Sequence, residues 1–402
     1  MTEGPEEVVT SRPPVTADMV AQKRPGRIKI STTALRAYTM VIALAVIWLL
    51  FTWATDGVFL AARNFSNLMR QTAVTGVLAV GMLMVIVTGQ IDLSVGSVVG
   101  LTGGIAAICL TWLGWGLAPS IGAAIAVGLI IGVLQGALVA YANVPAFIVT
   151  LGGLLIWRGL IKGISKGNTI PIEPRSFKAI GQDYVPAIVS IVIAALAVAL
   201  IAWLNVRRAR ARSRYGLAAT SRVETVVRIL VPSLVIIGFI LALNSYAGVP
   251  IPVIILLAVA LAGAFLTTNT TFGRYLYAIG GNPDAARLSG ISLRRHILAT
   301  FCMMGALAAV AGIIYTARVG SGAPDAGVLL ELDAIAACVI GGASLMGGRG
   351  TIFGACLGAL FMASLDNGMS LKNIADFTQD IVKGSILVAA VALDILWRRK
   401  SG

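Results

Sequence analysis

The sequence predicts an all-α polytopic membrane protein, and three observations carry that prediction. Of its 402 residues, 58% are hydrophobic and only 12% charged, and the mean hydropathy is +0.91. Soluble domains are about 45–50% apolar and about 25% charged, so lipid is the natural solvent for this much apolar surface. Apolar stretches long enough to span a bilayer recur along the chain, and the basic residues are gathered into short blocks instead of being spread.

Residues 1–36 are polar, contain Pro13, Pro14 and Pro25, and hold no apolar core of the kind a cleavable signal has. They read as a disordered cytoplasmic tail, and residues 37–402 as the transmembrane domain. Candidate spans follow at 37–55, 71–88, 95–114, 119–141 and 145–162, then at 185–204, 226–243, 249–266 and 296–315. The stretch 334–366 is apolar but broken by Gly347-Gly348-Arg349-Gly350, and a last span runs over 381–397. If the broken stretch is a re-entrant hairpin the chain crosses about ten times. If it is two short spans, there are up to twelve segments; ten is the preferred count.

Net charge is +14, and nineteen of the 31 Lys and Arg residues fall within 1–36, 205–222, 267–296 and 398–400. With the N-terminus inside, the span count puts each of these blocks on the cytoplasmic face, as the positive-inside rule requires. The blocks include an Arg-rich turn at 205–224 and a long loop at 267–295. Nucleic acid is a poor partner for them, because no aromatic residues are interleaved as a stacking surface needs. Cys109, Cys302, Cys338 and Cys356 lie in or beside apolar segments and form no C-x-x-C pair, so they read as packing residues. Small-residue stripes, Gly128/Gly132/Gly136, Gly350/Gly354/Gly358 and Gly100/Gly104, predict close helix packing and offer a face for a second copy.

Catalysis finds no support. No G-x-x-x-x-G-K-[ST] phosphate loop occurs, no G-x-S-x-G elbow, and the lone histidine, His296, excludes H-E-x-x-H metal chemistry. No cofactor and no metal is expected. Charge at membrane depth is costly and marks pathways, which singles out Asp92, Glu331, Asp333 and Asp366, with Asn367 beside the last. Asp92 has two readings, a cap for the helix beginning near Ser94 or a group on the path. Glu331 and Asp333 invite the same capping account, and Arg158 reads as a snorkelling residue. The small polar residues Ser94, Ser97, Thr150 and Ser344 are further path candidates, although interhelical hydrogen bonds account for such residues equally well.

The loop 267–295 is the most specific feature. It contains Gly273-Arg274-Tyr275 and then Gly280-Gly281-Asn282-Pro283-Asp284-Ala285-Ala286-Arg287-Leu288-Ser289-Gly290. Asn282 is placed to cap a short helix whose first turn holds Pro283 and Asp284, and Gly290 to end it in a left-handed conformation. A compact capped helix on the cytoplasmic face reads as a lever for an external partner.

This segment resembles the coupling element of bacterial ABC importers, in particular the permeases of the ribose/xylose/arabinose type within the branched-chain-type superfamily. The resemblance covers nearly the whole chain past residue 37. Besides Gly273 through Ile291 it rests on Ile91-Asp92-Leu93-Ser94-Val95-Gly96-Ser97, on Val144 through Gly153, on Glu331 through Gly342 and on Leu365-Asp366-Asn367-Gly368. The D-xylose permeases are the nearest subgroup. They share an added helical hairpin over roughly 185–245, which the ribose-type members lack, and features like Trp53, Thr55, Asp56 and Gly57. Gln90 departs from the glutamate or glycine expected there.

The resemblance implies a homodimeric pore in the bacterial inner membrane, with two copies of a separate ATPase inside and a periplasmic or lipid-anchored sugar-binding protein outside. It implies that Gly273, Arg274 and the stretch Gly280–Gly290 contact the ATPase. Two other classes compete: an ion-coupled secondary sugar transporter, to which Asp92 and the broken region lend support, and a membrane scaffold without transport.

Overall fold

A computed structural model describes residues 32–214 and 222–399. The expected tail 1–36 thus lies almost wholly outside the described residues, as does the centre of the Arg-rich turn. Eight helices are long and apolar enough to cross a membrane, counted among the described residues.

The first half comprises α1 (Thr32–Ala54), α2 (Ala62–Val87), α3 (Val95–Thr111), α4 (Leu117–Ala140) and α5 (Ala146–Ser165). A short helix α6 (Arg175–Gln182) follows, then the hairpin of α7 (Ala187–Arg214) and α8 (Arg222–Asn244). The second half opens with α9 (Ile251–Asn269) and the short helices α10 (Thr271–Gly281) and α11 (Pro283–Leu288). It continues with α12 (Leu293–Val319), α13 (Leu330–Ile340), α14 (Ile352–Leu371) and α15 (Asp376–Arg399). Two-residue strands tie the outer connections, β1 (Ile170–Pro171) to β4 (Ser321–Gly322) and β2 (Tyr184–Val185) to β3 (Val249–Pro250), both antiparallel.

The core is the pair α2 and α12, which pack on each other and on most other helices, while α5, α7 and α15 pack on those neighbours instead. Each is followed by a break and a short helix: 88–94 before α3, and 320–329 before α13. Eleven residues give α13 a length of about 16 Å, roughly half the ~30 Å hydrocarbon core. The interruption near 334–366 is therefore a half-helix and a full span, joined by the glycine turn at 347–350.

The two halves exchange packing partners. α3 and α4 pack on α12, whereas α13 and α14 pack on α2. The breaks carry matching sequences, Ile91-Asp92-Leu93-Ser94-Val95 and Leu330-Glu331-Leu332-Asp333-Ala334. Such exchanged packing is the pattern that internal repeats of a transporter produce.

The glycine stripes are spent inside the chain. Gly128 and Gly132 lie against the backbone of Gly305 and Phe301 on α12, and Gly354 and Gly358 against Gly341 and Ala337 on α13. They serve as seams within one copy rather than as a face for a second one. The α7–α8 hairpin, by contrast, leaves most of its surface to lipid.

Candidate transport site and coupling helices

The N-termini of α3 and α13 meet near the middle of the bundle, and the polar residues of both breaks gather there. Asp92 is buried in the turn that precedes α3, whose N-cap is Ser94, and it does not itself cap the helix. Its Oδ1 accepts hydrogen bonds from the backbone N–H of Ser94 at 2.8 Å and from Ser94 Oγ at 2.7 Å, closing the turn that starts α3. Ser94 in turn lies 2.9 Å from Gln135 Nε2 and 3.2 Å from its Oε1, on α4. Thr150 Oγ1 donates to Ala146 O at 2.8 Å and approaches Ile91 O at 3.3 Å, so α5 braces the same turn.

Glu331 and Asp333 do not cap a helix starting at Ala334, because α13 starts at Leu330 and places both in its first turn, with no side-chain cap. The chain there follows Leu329, held at φ 65°, and Gly327 at φ 77°, and this tight entry lengthens the helix by a turn. Glu331 lies directly over Gly96 of α3, where any Cβ would collide with its Oε2. Glu331 Oε2 and Ser97 Oγ are buried without hydrogen-bond partners, as is Trp157 Nε1 on α5. Arg158 does not snorkel. Its Nη1 donates to the carbonyls of Ala326 at 2.5 Å and Pro324 at 3.2 Å, pinning the re-entrant segment before α13. Beyond it, Lys162 and Asp325 form an exposed ion pair at 2.8 Å.

A second polar group sits between α13, α14 and α15. Lys383 Nζ lies 2.8 Å from Asp366 Oδ1 and 3.4 Å from Asp333. The pair with Asp366 is the closer, though it is not directed along a hydrogen bond to that oxygen. Asn367 exchanges reciprocal amide hydrogen bonds with Asn64 on α2, at 2.7 and 3.1 Å. Ser344 lies apart from both groups, in the turn after α13, where its Oγ accepts from Met346 N at 3.2 Å.

In the loop 267–295 the capped helix forms as the spacing predicts. Asn282 Oδ1 accepts from Ala285 N at 2.9 Å, Pro283 and Asp284 occupy the first turn of α11, and Gly290 has φ 81°. Thr270 caps α10 in the same way, accepting from Gly273 N at 3.2 Å. Asp284 and Arg287 are exposed, Ala286 is buried, and Leu288 stands 89% exposed at the tip. Gly280 presses on the Val87 carbonyl at the end of α2 and on Gly348 N in the turn before α14, leaving no room for a Cβ. Tyr277 Oη donates to Gly350 O at 2.8 Å. α10 thus touches the C-terminal end of α2 and the α13–α14 turn together.

Sequence reasoning missed Gln135, Lys383, Asn64 and Trp157. Gln135 was visible as the one amide of α4, and Lys383 as a lysine within the last span, but their partners lie 41 and 17 or more residues away.

The comparisons with known proteins bear on this geometry. The family described as branched-chain amino acid transport system / permease component matches residues 64–219 and 214–391. The chain is 50% identical to the xylose transport system permease protein XylH of Escherichia coli (strain K12), over 91% of this chain and 93% of that protein. It is 48% identical to the XylH protein of Haemophilus influenzae, over 92% and 99% of the two chains. It is 34% identical to the ribose import permease protein RbsC of Escherichia coli (strain K12), over 94% and 99%. No solved structure matches the chain significantly. With its full domain matched from α2 to α15, the chain belongs to the permease-component family of the branched-chain amino acid transport system, as a multi-pass transport subunit and not an enzyme.

Proposed function

We propose that this chain is the membrane subunit of an ATP-driven importer that carries a pentose, D-xylose first, across the bacterial inner membrane. The observation that supports it most is 50% identity to a xylose permease over 91% of the chain. The same alignment spans the α7–α8 hairpin expected of the xylose-type members.

In this reading a separate ATPase receives α11, with Leu288 as the apolar contact and Asp284 and Arg287 as the charged ones. Closure of the ATPase would push α10, and Gly280 would pass the thrust to the end of α2 and to the α13–α14 turn. The break at 88–94 lies immediately beyond the first contact and the half-helix α13 immediately before the second, so α3 and α13 would shift together, as alternating access between inverted repeats requires. A sugar-binding protein would deliver substrate at the outer face, and two copies would pair along α5 and α15, the helices flanking the two polar groups. Asp92, Ser97, Glu331 and Arg158 would meet the sugar or its accompanying water.

The test is uptake of labelled xylose, ribose, arabinose and galactose in a strain deleted for this gene and complemented with it. Loss of xylose uptake alone supports the assignment; loss of another sugar alone reassigns the substrate. Uptake by the purified chain without an ATPase, driven by an ion gradient, would establish a secondary transporter instead.

A further inference from the structure

The hairpin of α7 and α8 meets the bundle near the end where α7 begins and α8 finishes. There Ser190 Oγ on α7 lies 3.0 Å from Asn244 Oδ1 on α8, and Phe239 packs edge-on against Phe65 of α2, with 6.1 Å between ring centroids. The opposite end of the hairpin carries a block of charge. Residues 205–228 hold seven arginines, no lysine and one acid, Glu224. That acid is engaged by Arg228, one turn along α8, at 2.5 Å. Arg207, Arg208 and Arg210 are exposed, and among the described residues none of the three is in an ion pair.

Leu196, Leu200, Trp203, Arg207 and Arg210 follow one another at alternating spacings of four and three, which places all five on one face of α7. Leu196 is 65% exposed, Leu200 54% and Trp203 55%. The Arg207 guanidinium lies over the Trp203 ring, its Cζ 5.1 Å from the centroid. The face thus runs from apolar through aromatic to cationic, in the order in which a phospholipid runs from acyl chain through glycerol to phosphate. Tryptophan favours that boundary because its ring is apolar and its N–H polar. From Leu200 to Arg207 the helix rises about 10 Å, enough to pass from hydrocarbon into a headgroup layer about 5–8 Å thick.

Charge complementarity selects the occupant. A guanidinium presents a planar fork that matches phosphate oxygens, and it is more weakly hydrated than an ammonium. A second copy of the chain would bring the same arginines and be repelled. We infer that the face of α7 from Leu196 to Arg210 seats one anionic phospholipid, its phosphate held by Arg207 and Arg210 and an acyl chain laid along Leu196 and Leu200. The lipid anchors this end of the hairpin at the membrane surface, where arginines next to a span attract anionic headgroups.

The test uses the purified full-length permease, stripped of lipid in detergent. Phosphatidylglycerol and phosphatidylcholine of equal chain length compete for it, and retained lipid is counted by native mass spectrometry. The expected result is one phosphatidylglycerol per chain, retained in preference to phosphatidylcholine. Arg207→Gln with Arg210→Gln should weaken phosphatidylglycerol retention about tenfold. Arg294→Gln with Arg295→Gln, which removes two exposed charges elsewhere, should leave the preference intact. Equal losses in the two double variants would reduce the effect to net charge and overturn the proposal, as would a wild-type chain without preference. Inorganic phosphate in excess should not displace the lipid, because the seat reads chain and headgroup together; displacement would refute it. Should the glutamine variant fail to fold, Arg207→Lys with Arg210→Lys decides. It keeps the charge and loses the forks, so a weakened preference supports the seat and an unchanged one refutes it. A glutamine variant that keeps its lipid preference while its oligomeric mass changes would assign the face to a second copy, and the proposal falls.

Discussion

Lys383 on α15 reaches Asp366 on α14 at 2.8 Å while lying 3.4 Å from Asp333 on α13. One cation thus serves two carboxylates at membrane depth, and it is the polar tie that fixes α15 to the half-helix. α15 otherwise shows the bundle few buried side chains, and Phe377, Ile381 and Val388 on it are exposed.

Replacing Lys383 by Met strands two carboxylates in a low-dielectric setting. Breaking a buried pair from one side costs about 3–5 kcal/mol, so Lys383→Met should lower the unfolding midpoint sharply. The triple variant Lys383→Met, Asp333→Asn, Asp366→Asn should recover much of that loss. Thermal unfolding in nanodiscs measures both; a single variant as stable as wild type would show that the cluster carries no net charge interaction.

Arg158 holds the segment before α13 through two backbone carbonyls. Hydrogen bonds to a charged group are worth about 1.5–3 kcal/mol, and the compact ammonium of a lysine does not sit where Nη1 makes both of them. Arg158→Lys should therefore raise amide exchange of residues 323–329 and cut uptake at least tenfold, with the rest of the bundle unchanged. Unaltered exchange in that segment would place its order elsewhere.

Gly280 has no space for a side chain between Val87 O and Gly348 N. Gly280→Ala should force α10 away from both elements. The expected phenotype in the assembled importer is ATP hydrolysis near the wild-type rate with sugar uptake lost. If hydrolysis and uptake fall in proportion, Gly280 serves assembly rather than transmission.

The exposed face of α11 is predicted to matter for the partner and not for the fold. Reversing both charges, Asp284→Arg with Arg287→Glu, or replacing Leu288 by Asp, should leave the unfolding midpoint within about 0.5 kcal/mol equivalent. Co-purification of the ATPase and ATP-driven uptake should both drop. Retention of full uptake after the double reversal would remove these residues from the contact.

Much of the cytoplasmic element was legible in the chain. Asn282, Pro283, Asp284 and Gly290 are neighbours in sequence, and helix capping is a local interaction, so residue type and spacing suffice to foresee it. The hydrogen bonds of Asp92 are equally local and reach only to Ser94. Apart from Glu331 and Asp333, displaced by the earlier start of α13, the surprises concern groups with distant partners. Arg158 finds its acceptors 166 and 168 residues away, and Asn367 finds Asn64 at a separation of 303. The glycine stripe of α4 faces α12 of its own chain for the same reason.

By itself the sequence determined the solvent of this protein, most of its long apolar helices and its capped helix α11, since each follows from composition or from contacts within a turn. Only the tertiary structure decided that two broken helices meet end to end, that Lys383 lies between Asp333 and Asp366, and that Gly280 touches both halves. In lipid, apolar periodicity does not tell one buried face from another, because tails are as apolar as the core. Which polar groups pair across the bundle is set by the inverted packing of α2 and α12, and no local pattern encodes that.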